Sequence, residues 1–465
     1  MKRELVIAGA GLVGSLLAVL LAQRGMSVRV IEKRADPRQA GFAGGRSINL
    51  ALAERGLDAL RAAGLADTVL ASAVMMRGRM VHDRDGSANL QRYGIDDSEV
   101  IWSVSRGGLN ALLLDAAEAA GAQIEFDCAL IDARFGDSDV TLTLQGTDGS
   151  QRERGADSVI GADGAGSALR RAMHAATPLG EHVEPLPHGY KELEIPSASN
   201  GLQNEFANRF SIEPHALHIW PRGGYMCIAL PNCNGSFTVT LFLPQAGGTA
   251  SFAALPDADA ARRFFEQDFA DLLPLLPDFD ADFTEHPTGT LATLHLERWH
   301  HGGQALLIGD AAHAIVPFHG QGMNAGFEDA ALLAPLLADA GDDLATVYAD
   351  FQRQRQPNCD AIARMALENY VEMRDSVADP HYLLKRQLGQ ELASRCPRHY
   401  MARYRLVTFT RLPYAWCEQR GQQQDALLKR LLAGRNDLAG FDFAAATALT
   451  ASELAPLPAS ALVRS

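Results

Sequence analysis

The chain of 465 residues is 47% hydrophobic and 21% charged, a composition typical of a globular protein, and its length predicts more than one domain. With 42 basic against 56 acidic residues the net charge is −14, so nucleic acid and anionic membranes would repel the chain and we expect neither as a partner. The six cysteines form no CxxC pair and no compact framework, so we expect neither a disulfide scaffold nor a metal site.

An uncharged, mostly apolar run from Leu5 to Ala22 follows Lys2 and Arg3 and has the length of a signal peptide or a membrane span. Several glycines inside the run would weaken such a helix, and no small-residue cleavage site follows it. We therefore predict a buried strand, a glycine turn and a buried helix, in a cytoplasmic protein.

The glycines of this run form a dinucleotide-binding pattern. Gly9, Gly11 and Gly14 supply GxGxxG, and Glu32 ends the next predicted strand. The first glycine makes the turn, the second lets the backbone approach a pyrophosphate, and the third permits close packing of helix on strand. The Glu32 carboxylate can accept hydrogen bonds from ribose hydroxyls. Because the strand–helix–strand context is complete, we favour dinucleotide binding over an ordinary glycine turn.

Residues 73–82, AVMMRGRMVH, place two arginines in apolar sequence. Strand alternation would put Arg77 and Arg79 on one face. Burying a cation is costly unless it meets an anion. The segment therefore requires an anion, which could be a carboxylate of this chain or could belong to a ligand.

Two later strands end in an aspartate beside a glycine. The segment 156–173 carries Asp163 after an apolar strand, and the segment 302–337 carries Asp310 in the same position. Ordinary turns of a doubly wound sheet would account for the glycines. An aspartate at each strand end, however, lies where a nucleotide binds in such sheets.

Between these two turns the pattern changes to alternating strands. Residues 215–244 are broken by Pro-Arg-Gly-Gly and by Asn-Cys-Asn-Gly, which predict antiparallel hairpins. Phe237, Val239, Leu241 and Leu243 would line one face. We expect a sheet that covers an aromatic ligand, with most of these side chains serving only as core.

The glycine motif with its later acid, the turn at Asp163 and the turn at Asp310 together resemble those of the single-component FAD-dependent aromatic hydroxylases. Further segments, spread over most of the chain, are similar to those of the members that hydroxylate kynurenine: GRSINLALAERG (45–56), MMRGRMVH (75–82), HGYKELEI (188–195), YMCIALPN with SFTVTLFLP (225–244), VPFHGQGMN (316–324), ALENYVEM (366–373) and RYRLVTFTRLPYA (403–415). The resemblance implies a monooxygenase that uses FAD, NADPH and O2 to convert L-kynurenine to 3-hydroxykynurenine through a flavin C4a-hydroperoxide. This family lacks a second GxGxxG for NADPH, and none is found here.

The resemblance also implies roles for individual residues. The cofactor contacts would be Gly9, Gly11, Leu12, Gly14, Glu32, Arg34, Arg106, Asp163, Asp310, Gly322, Met323 and Asn324. The substrate contacts would be Arg79 and Tyr93 on the carboxylate, Asn369 and Tyr404 beside them, Met373 facing the ring, and Pro317 and Phe318 between ring and flavin. No catalytic residue is assigned, although His319 and Gln321 are candidates to assist by hydrogen bonding. A helix starting near Gly322 would present free N–H groups to the negative edge of reduced flavin.

We predict an α/β fold with a Rossmann-like FAD-binding domain at 1–75, 100–178 and 287–355. An inserted, mainly antiparallel substrate-binding sheet would occupy 76–99 and 179–286, and a helical region at 356–465 would complete the substrate pocket. Alanine-rich residues 440–465 predict a mobile tail. We expect a monomer or a homodimer.

Two alternatives stay open at this point. The chain could be a flavin hydroxylase of another phenol or aromatic acid, in which case the similarity of MMRGRM and ALENYVEM is accidental. It could also be a non-catalytic FAD-binding protein, whose flavin NADPH would not reduce even with kynurenine present. The fold alone would not separate these functions.

Overall fold

The structure is a computed structural model that describes residues 4–40, 49–137, 139–198, 209–341, 343–376 and 379–462. Lys2 and Arg3 lie outside the described residues, and so do residues 45–48, which begin the segment GRSINLALAERG. The strands are β1 (Glu4–Ala8), β2 (Ser27–Ile31), β3 (Asn49–Leu52), β4 (Val74–Met76), β5 (Gly78–His82), β6 (Ala88–Arg92), β7 (Ile101–Ser105), β8 (Gln123–Glu125), β9 (Cys128–Phe135), β10 (Val140–Gly146), β11 (Gln151–Ala156), β12 (Ser158–Gly161), β13 (His182–Ile195), β14 (Ala216–Pro221), β15 (Met226–Pro231), β16 (Phe237–Pro244), β17 (Gly289–His295), β18 (His300–His301) and β19 (Ala305–Leu307).

Helices make up most of the remaining regular structure. They are α1 (Leu12–Gln23), α2 (Pro37–Ala40), α3 (Glu54–Ala62), α4 (Ala66–Leu70), α5 (Arg106–Ala119), α6 (Ala168–Ala176), α7 (Ala258–Asp268), α8 (Phe279–Glu285), α9 (Asp310–His313), α10 (Gly322–Asp339), α11 (Leu344–Val371), α12 (Pro380–Arg395), α13 (Arg403–Phe409), α14 (Tyr414–Leu431), α15 (Phe443–Glu453) and α16 (Ala459–Leu462). Short 3-10 turns occur at Phe252–Ala254, Leu273–Leu275 and Pro317–His319, and a π-helical turn follows α11 at Glu372–Ser376.

The chain divides into two compact units, each built from three segments. The first unit comprises Met1–Val74, Trp102–Leu186 and Leu291–Ala363. The second unit comprises Met75–Ile101, Pro187–Thr290 and Arg364–Ser465.

The first unit is organised around a six-stranded sheet in the order β18-β19-β12-β1-β2-β8. Its strands run parallel except for the β18–β19 pair. The central strand β1 is apolar because helices cover both faces of a parallel sheet, and Leu5, Val6 and Ile7 are fully buried. The predicted strand, turn and helix at the N-terminal end are confirmed, and so is the α/β fold class. Among the described residues no helix combines the length and the apolar character that crossing a bilayer requires.

A seven-stranded sheet, in the order β17-β13-β16-β15-β14-β5-β6, supplies most of the strands of the second unit. The predicted hairpins are confirmed, since β14 pairs antiparallel with β15 and β15 pairs antiparallel with β16. Gly224 and Gly235 have positive φ in the two turns, a conformation that favours glycine. The predicted apolar face of β16, from Phe237 to Leu243, is fully buried.

Two histidines pair inside this sheet. Nε2 of His82 lies 2.8 Å from Nδ1 of His218. The other ring nitrogen of His218, Nε2, donates to the carbonyl oxygen of Glu213 at 2.8 Å. That second bond fixes the tautomer of His218, so its Nδ1 accepts from His82. Burial is the main cause that lowers the pKa of His218 to about 4, and His82 adds to it while the bond to Glu213 opposes it. His218 is therefore neutral at pH 7.

The predicted mobile tail is wrong for the residues described up to 462. Thr450 and Leu454 of the α15 region are buried, and α15 packs with leucines of α12 and α14 in one cluster. Beyond α15, the N–H of Leu457 donates to the carbonyl of Arg398 at 2.8 Å, and Arg420 donates to the carbonyl of Ala455. The alanine-rich sequence is ordered because its small side chains let α15 approach the larger leucines of its neighbours.

Candidate active site

The three glycines of the N-terminal motif have different surroundings in the first unit. A Cβ on Gly9, whose φ is +100°, would lie 2.6 Å from the carbonyl oxygen of Ala162, and one on Gly14 would lie 2.0 Å from the carbonyl oxygen of Gly9. Packing therefore requires glycine at both positions. Apart from its chain neighbours, no described atom lies within 4 Å of the position that a Cβ on Gly11 would take. Gly11 thus leaves the open approach that a ligand needs at the start of α1.

Glu32 closes the other side of this turn. Its Oε2 accepts the N–H of Ala10 at 2.8 Å, and its Oε1 accepts the N–H of Arg34 at 3.0 Å. Leu12 is half-buried in the first turn of α1, and Arg34 is exposed. Each Glu32 oxygen keeps a further lone pair for a hydroxyl donor.

Asp163 has one satisfied oxygen and one unsatisfied oxygen. Its Oδ2 accepts the N–H of Ala168 at 2.7 Å and that of Leu169 at 3.3 Å at the start of α6. Its Oδ1 is buried and has no hydrogen-bond partner within the described part of the chain. Buried polar atoms are nearly always paired, so this oxygen fits a donor supplied by a bound group such as the hydroxyls of FAD.

Asp310 begins α9 directly after the turn at Gly309, whose φ is +56°. Asp310 and Arg106 are both exposed side chains of the first unit. Desolvation by the surrounding protein raises the pKa of the Asp310 carboxyl, whereas the charges of His313 and Arg106 lower it. The pair thus offers a carboxylate and a guanidinium to hydroxyl and phosphate groups.

The first turn of α10 holds Gly322, Met323 and Asn324, as the sequence predicted for a helix starting near Gly322. Gln321 precedes it without a side-chain cap, and the turn contains no acidic residue, so its N–H groups and positive dipole end are available. The Asn324 side chain is not, because its Oδ1 accepts the N–H of Ala53 and its Nδ2 donates to the carbonyls of Ala51 and Gly320. Any contact of Asn324 with the cofactor would therefore use its backbone.

The remaining predicted residues of the first unit lie just before this helix. Pro317, Phe318 and His319 form a 3-10 turn, and Phe318 and His319 are buried, as is Gln321. Their proposed roles at the ring and in catalysis stay predictions.

Arg79 is the centre of a polar cluster in the second unit. It lies on β5 and is only 7% exposed. Its Nη1 lies 3.2 Å from Oε1 of Glu372, and its Nη2 lies 3.2 Å from Oδ1 of Asn369. Its Nε is buried and has no partner among the described residues. A buried guanidinium with an unused donor is suited to an incoming carboxylate.

Two tyrosines flank the guanidinium. The rings of Tyr93 and Tyr404 stack with centroids 5.3 Å apart, and the Cζ of Arg79 lies 4.8 Å from the Tyr404 centroid and 5.9 Å from that of Tyr93. Burial alone would lower the pKa of Arg79, but Tyr404 and Glu372 raise it. Burial also raises the pKa of Tyr93 well above its ordinary value. The site therefore combines a permanent cation with a neutral phenol that can donate a hydrogen bond.

Asn369 and Met373 lie four residues apart and share a face, as predicted. Nδ2 of Asn369 lies 3.3 Å from Sδ of Met373, and both side chains are buried. Met373 belongs to the π-helical turn Glu372–Ser376 that directly follows α11.

Sequence reasoning missed Glu372, the acid that faces Arg79, and Tyr382, whose hydroxyl donates to Glu372 at 2.7 Å. Burial would raise the pKa of Glu372, but Arg79 and the Tyr382 hydroxyl lower it, so the carboxylate is charged. A signal was available, because Glu372 lies three residues after Asn369 in the segment ALENYVEM and so faces nearly the same way.

Arg77 meets a different acid. The strand is interrupted between β4 and β5 at this residue, and Nε of Arg77 lies 3.0 Å from Oδ2 of Asp97 on the surface. Arg92 pairs with the same carboxylate. The two arginines of the segment thus have separate carboxylate partners, and only Arg79 is buried.

Comparisons with known proteins identify the family to which the chain belongs. The sequence profile of a family described as FAD binding domain matches residues 2–358. Kynurenine 3-monooxygenase of Stenotrophomonas maltophilia is 53% identical over 453 residues, covering 97% of each chain. Kynurenine 3-monooxygenase of Xanthomonas axonopodis pv. citri is 53% identical over 456 residues, covering 98% of each chain.

Among solved structures, p-nitrophenol 4-monooxygenase of Pseudomonas putida superposes with a TM-score of 0.64 at 17% identity, covering 93% of this chain and 96% of that chain. Identity at this level shows a shared fold and nothing about substrate. The full-length similarity is more specific. The chain therefore belongs to the FAD binding domain family and, within it, to the kynurenine 3-monooxygenases.

Proposed function

We propose that the protein hydroxylates L-kynurenine to 3-hydroxykynurenine, with FAD as cofactor and NADPH and O2 as co-substrates. The observation that carries the proposal is the buried Arg79 guanidinium, whose Nε has no partner among the described residues and which lies beside Tyr93, Tyr404 and Asn369. Full-length similarity to kynurenine 3-monooxygenases, at 53% identity, specifies which amino acid the cluster would take.

The charges of the cluster match those of an amino acid. A free α-amino acid carries a carboxylate and an ammonium group, and the cluster holds a guanidinium and the Glu372 carboxylate at 3.2 Å from each other. Arg79 can pair with the substrate carboxylate through its planar donors. Glu372 can accept from the ammonium group, and the Tyr382 hydroxyl holds it in position. An aromatic acid without an amino group would add a second carboxylate beside Glu372 and bring no ammonium group to balance it.

The residues of the first unit fit FAD. Gly11 leaves room for the pyrophosphate, and Glu32 has lone pairs for ribose hydroxyls. Within the described part of the chain no donor reaches the buried Oδ1 of Asp163, and Asp310 is exposed at a strand end. When bound, FAD supplies hydride acceptance from NADPH and activation of O2. The chain's own contribution there is binding and orientation, with the α10 N-terminus favouring negative charge.

The substrate itself makes a strong general base unnecessary. The amino group on the kynurenine ring donates electron density to the carbon ortho to it, which is the carbon that becomes hydroxylated. The protein therefore needs to orient the ring and exclude water rather than remove a proton. Buried apolar side chains such as Met373 serve that purpose beside the polar cluster.

The test is NADPH consumption by the purified, FAD-loaded protein with and without L-kynurenine, together with mass analysis of the product. We expect L-kynurenine to accelerate NADPH oxidation and to gain one oxygen atom. Acceleration by 4-hydroxybenzoate instead would indicate a different aromatic hydroxylase. Flavin that NADPH cannot reduce with kynurenine present would indicate a non-catalytic FAD-binding protein, and either result would contradict the proposal.

A further inference from the structure

A buried charge network lies behind the turn that carries Asp310. Its centre is Asp329 on α10, which is fully buried. Oδ2 of Asp329 accepts from Nε2 of His313 at 2.6 Å and from the backbone N–H of Gly309 at 2.9 Å. Its Oδ1 accepts from Nε of Arg355 at 2.7 Å. One carboxylate thus ties α10, α11 and the turn before α9 together.

Each member of the network is held in its charged form. Burial would raise the pKa of Asp329, but His313 and then Arg355 lower it to about 2. Burial would lower the pKa of His313, but Cys359 and Asp329 raise it well above its ordinary value. Arg355 is further paired with Glu328, which also accepts from Arg55 of α3. Buried charges of this kind are retained only when their geometry is fully satisfied.

The same cluster resembles a metal site, since ligand atoms of His313, Asp329 and Cys359 lie within 4.8 Å of one another. The Arg355 guanidinium, however, donates to Asp329 and lies 3.7 Å from the Cys359 sulfur. Three protein donors already bind the carboxylate, and the guanidinium supplies the positive charge that a cation would otherwise bring. The cluster is therefore an ion-pair network rather than a cation site.

The contact with Gly309 gives the network a direct connection to the cofactor site. Gly309 has φ +56° and ψ −143°, a conformation that a side chain would strain, and a Cβ there would lie 3.2 Å from Cγ2 of Val13 on α1. The hydrogen bond from its N–H to Asp329 holds the turn in this conformation. His313, one helical turn after Asp310, is anchored by the same oxygen.

We infer that Asp329, together with His313 and Arg355, is a positioning group that fixes the Gly309 turn and thereby sets how tightly Asp310 holds FAD. The inference rests on the proposed FAD site. It concerns affinity for the cofactor and its orientation, because none of the three side chains belongs to the proposed substrate cluster.

The test is FAD affinity of the refolded or reconstituted apoprotein, measured by titration, together with the visible circular dichroism of the bound flavin. We expect Asp329→Asn to weaken FAD binding by about tenfold or more, the loss expected for a charged hydrogen-bonding group, and to change the flavin spectrum. With FAD in excess, the KM for L-kynurenine should stay at the wild-type value. A matched control is Asp268→Asn, which removes another buried, arginine-paired carboxylate and should leave FAD affinity within about twofold.

His313→Gln provides a milder variant that keeps a neutral donor toward Asp329, and it carries the test if Asp329→Asn does not fold. It should weaken FAD binding by roughly threefold or more and shift the flavin spectrum in the same direction. Wild-type FAD affinity and spectrum in whichever variant folds would overturn the inference. Asp310→Ala separates the two claims: if it also leaves FAD affinity unchanged, the proposed cofactor site itself is wrong.

Discussion

Replacement of Arg79 by alanine is the sharpest perturbation of the proposed substrate cluster. The change removes a guanidinium that is 7% exposed and that lies 3.2 Å from both Glu372 and Asn369. The substitution changes none of the proposed FAD-binding residues. We therefore expect weaker kynurenine binding with FAD still bound.

The size of the loss follows from two effects. A charge-assisted hydrogen bond of this kind contributes about 1.5–3 kcal/mol, which corresponds to a loss of roughly tenfold to a hundredfold in affinity. The Glu372 carboxylate also remains, and at about 4 Å it would repel a substrate carboxylate by roughly 4 kcal/mol at an effective dielectric of about 20. The first figure is therefore a lower bound, and Arg79→Ala combined with Glu372→Gln should recover part of the loss.

The assay is a titration of L-kynurenine into the FAD-loaded protein without NADPH, followed by flavin absorbance, and a parallel measurement of KM. Arg77→Ala is the matched control, because Arg77 lies two residues away but pairs with Asp97 at the surface. It should change kynurenine affinity by less than about twofold. Wild-type affinity in Arg79→Ala, or loss of FAD from it, would refute the placement of the substrate carboxylate.

Three further predictions follow from the same geometry. Gly11→Ala should leave the thermal stability of the apoprotein unchanged but weaken FAD binding by about tenfold. Gly14→Ala should destabilise the apoprotein, because its Cβ would lie 2.0 Å from a carbonyl oxygen. If the two variants had the same effect on apoprotein stability and on FAD affinity, the assignment of the two glycines would be wrong. Glu372→Gln should improve binding of the desamino analogue of kynurenine relative to L-kynurenine, and an unchanged affinity ratio would show that Glu372 does not face the ammonium group. His218 has a folded pKa of about 4, below the ordinary 6.5, so the unfolded state binds its proton first and stability should fall by about 3 kcal/mol as pH decreases from about 6.5 to about 4. Denaturant unfolding of His218→Gln, which keeps one donor and one acceptor, should show a shallower pH slope, and an identical slope would exclude His218 as the source.

Local patterns were sufficient to predict much of the fold. The glycine turn, the buried strand before it and the hairpins of residues 215–244 all depend on residues close in sequence, where turn chemistry and side-chain period act directly. The start of α10 near Gly322 could be predicted for the same reason. Dinucleotide binding followed from a motif that must be contiguous to cradle a phosphate, and FAD from the resemblance to the aromatic hydroxylases.

Features that depend on distant segments could not be predicted in this way. Which of Arg77 and Arg79 is buried could not be predicted from the sequence. The outcome depends on the interruption of the strand between β4 and β5 and on the pairing of Arg77 with Asp97. Glu372 becomes the partner of Arg79 only because β5 and the turn after α11 meet, nearly three hundred residues apart in sequence. The C-terminal residues were expected to be mobile because alanine-rich sequence does not reveal the leucines of α12 that cover it.

In the proposed reaction, this chain places one atom of dioxygen on the kynurenine ring. The most direct measurement is turnover of L-kynurenine with NADPH under isotopically labelled dioxygen, with the label located by mass spectrometry. We expect 3-hydroxykynurenine that carries one labelled oxygen on the ring. Hydroxylated product with oxygen from water, or NADPH consumption that leaves kynurenine unchanged, would contradict it.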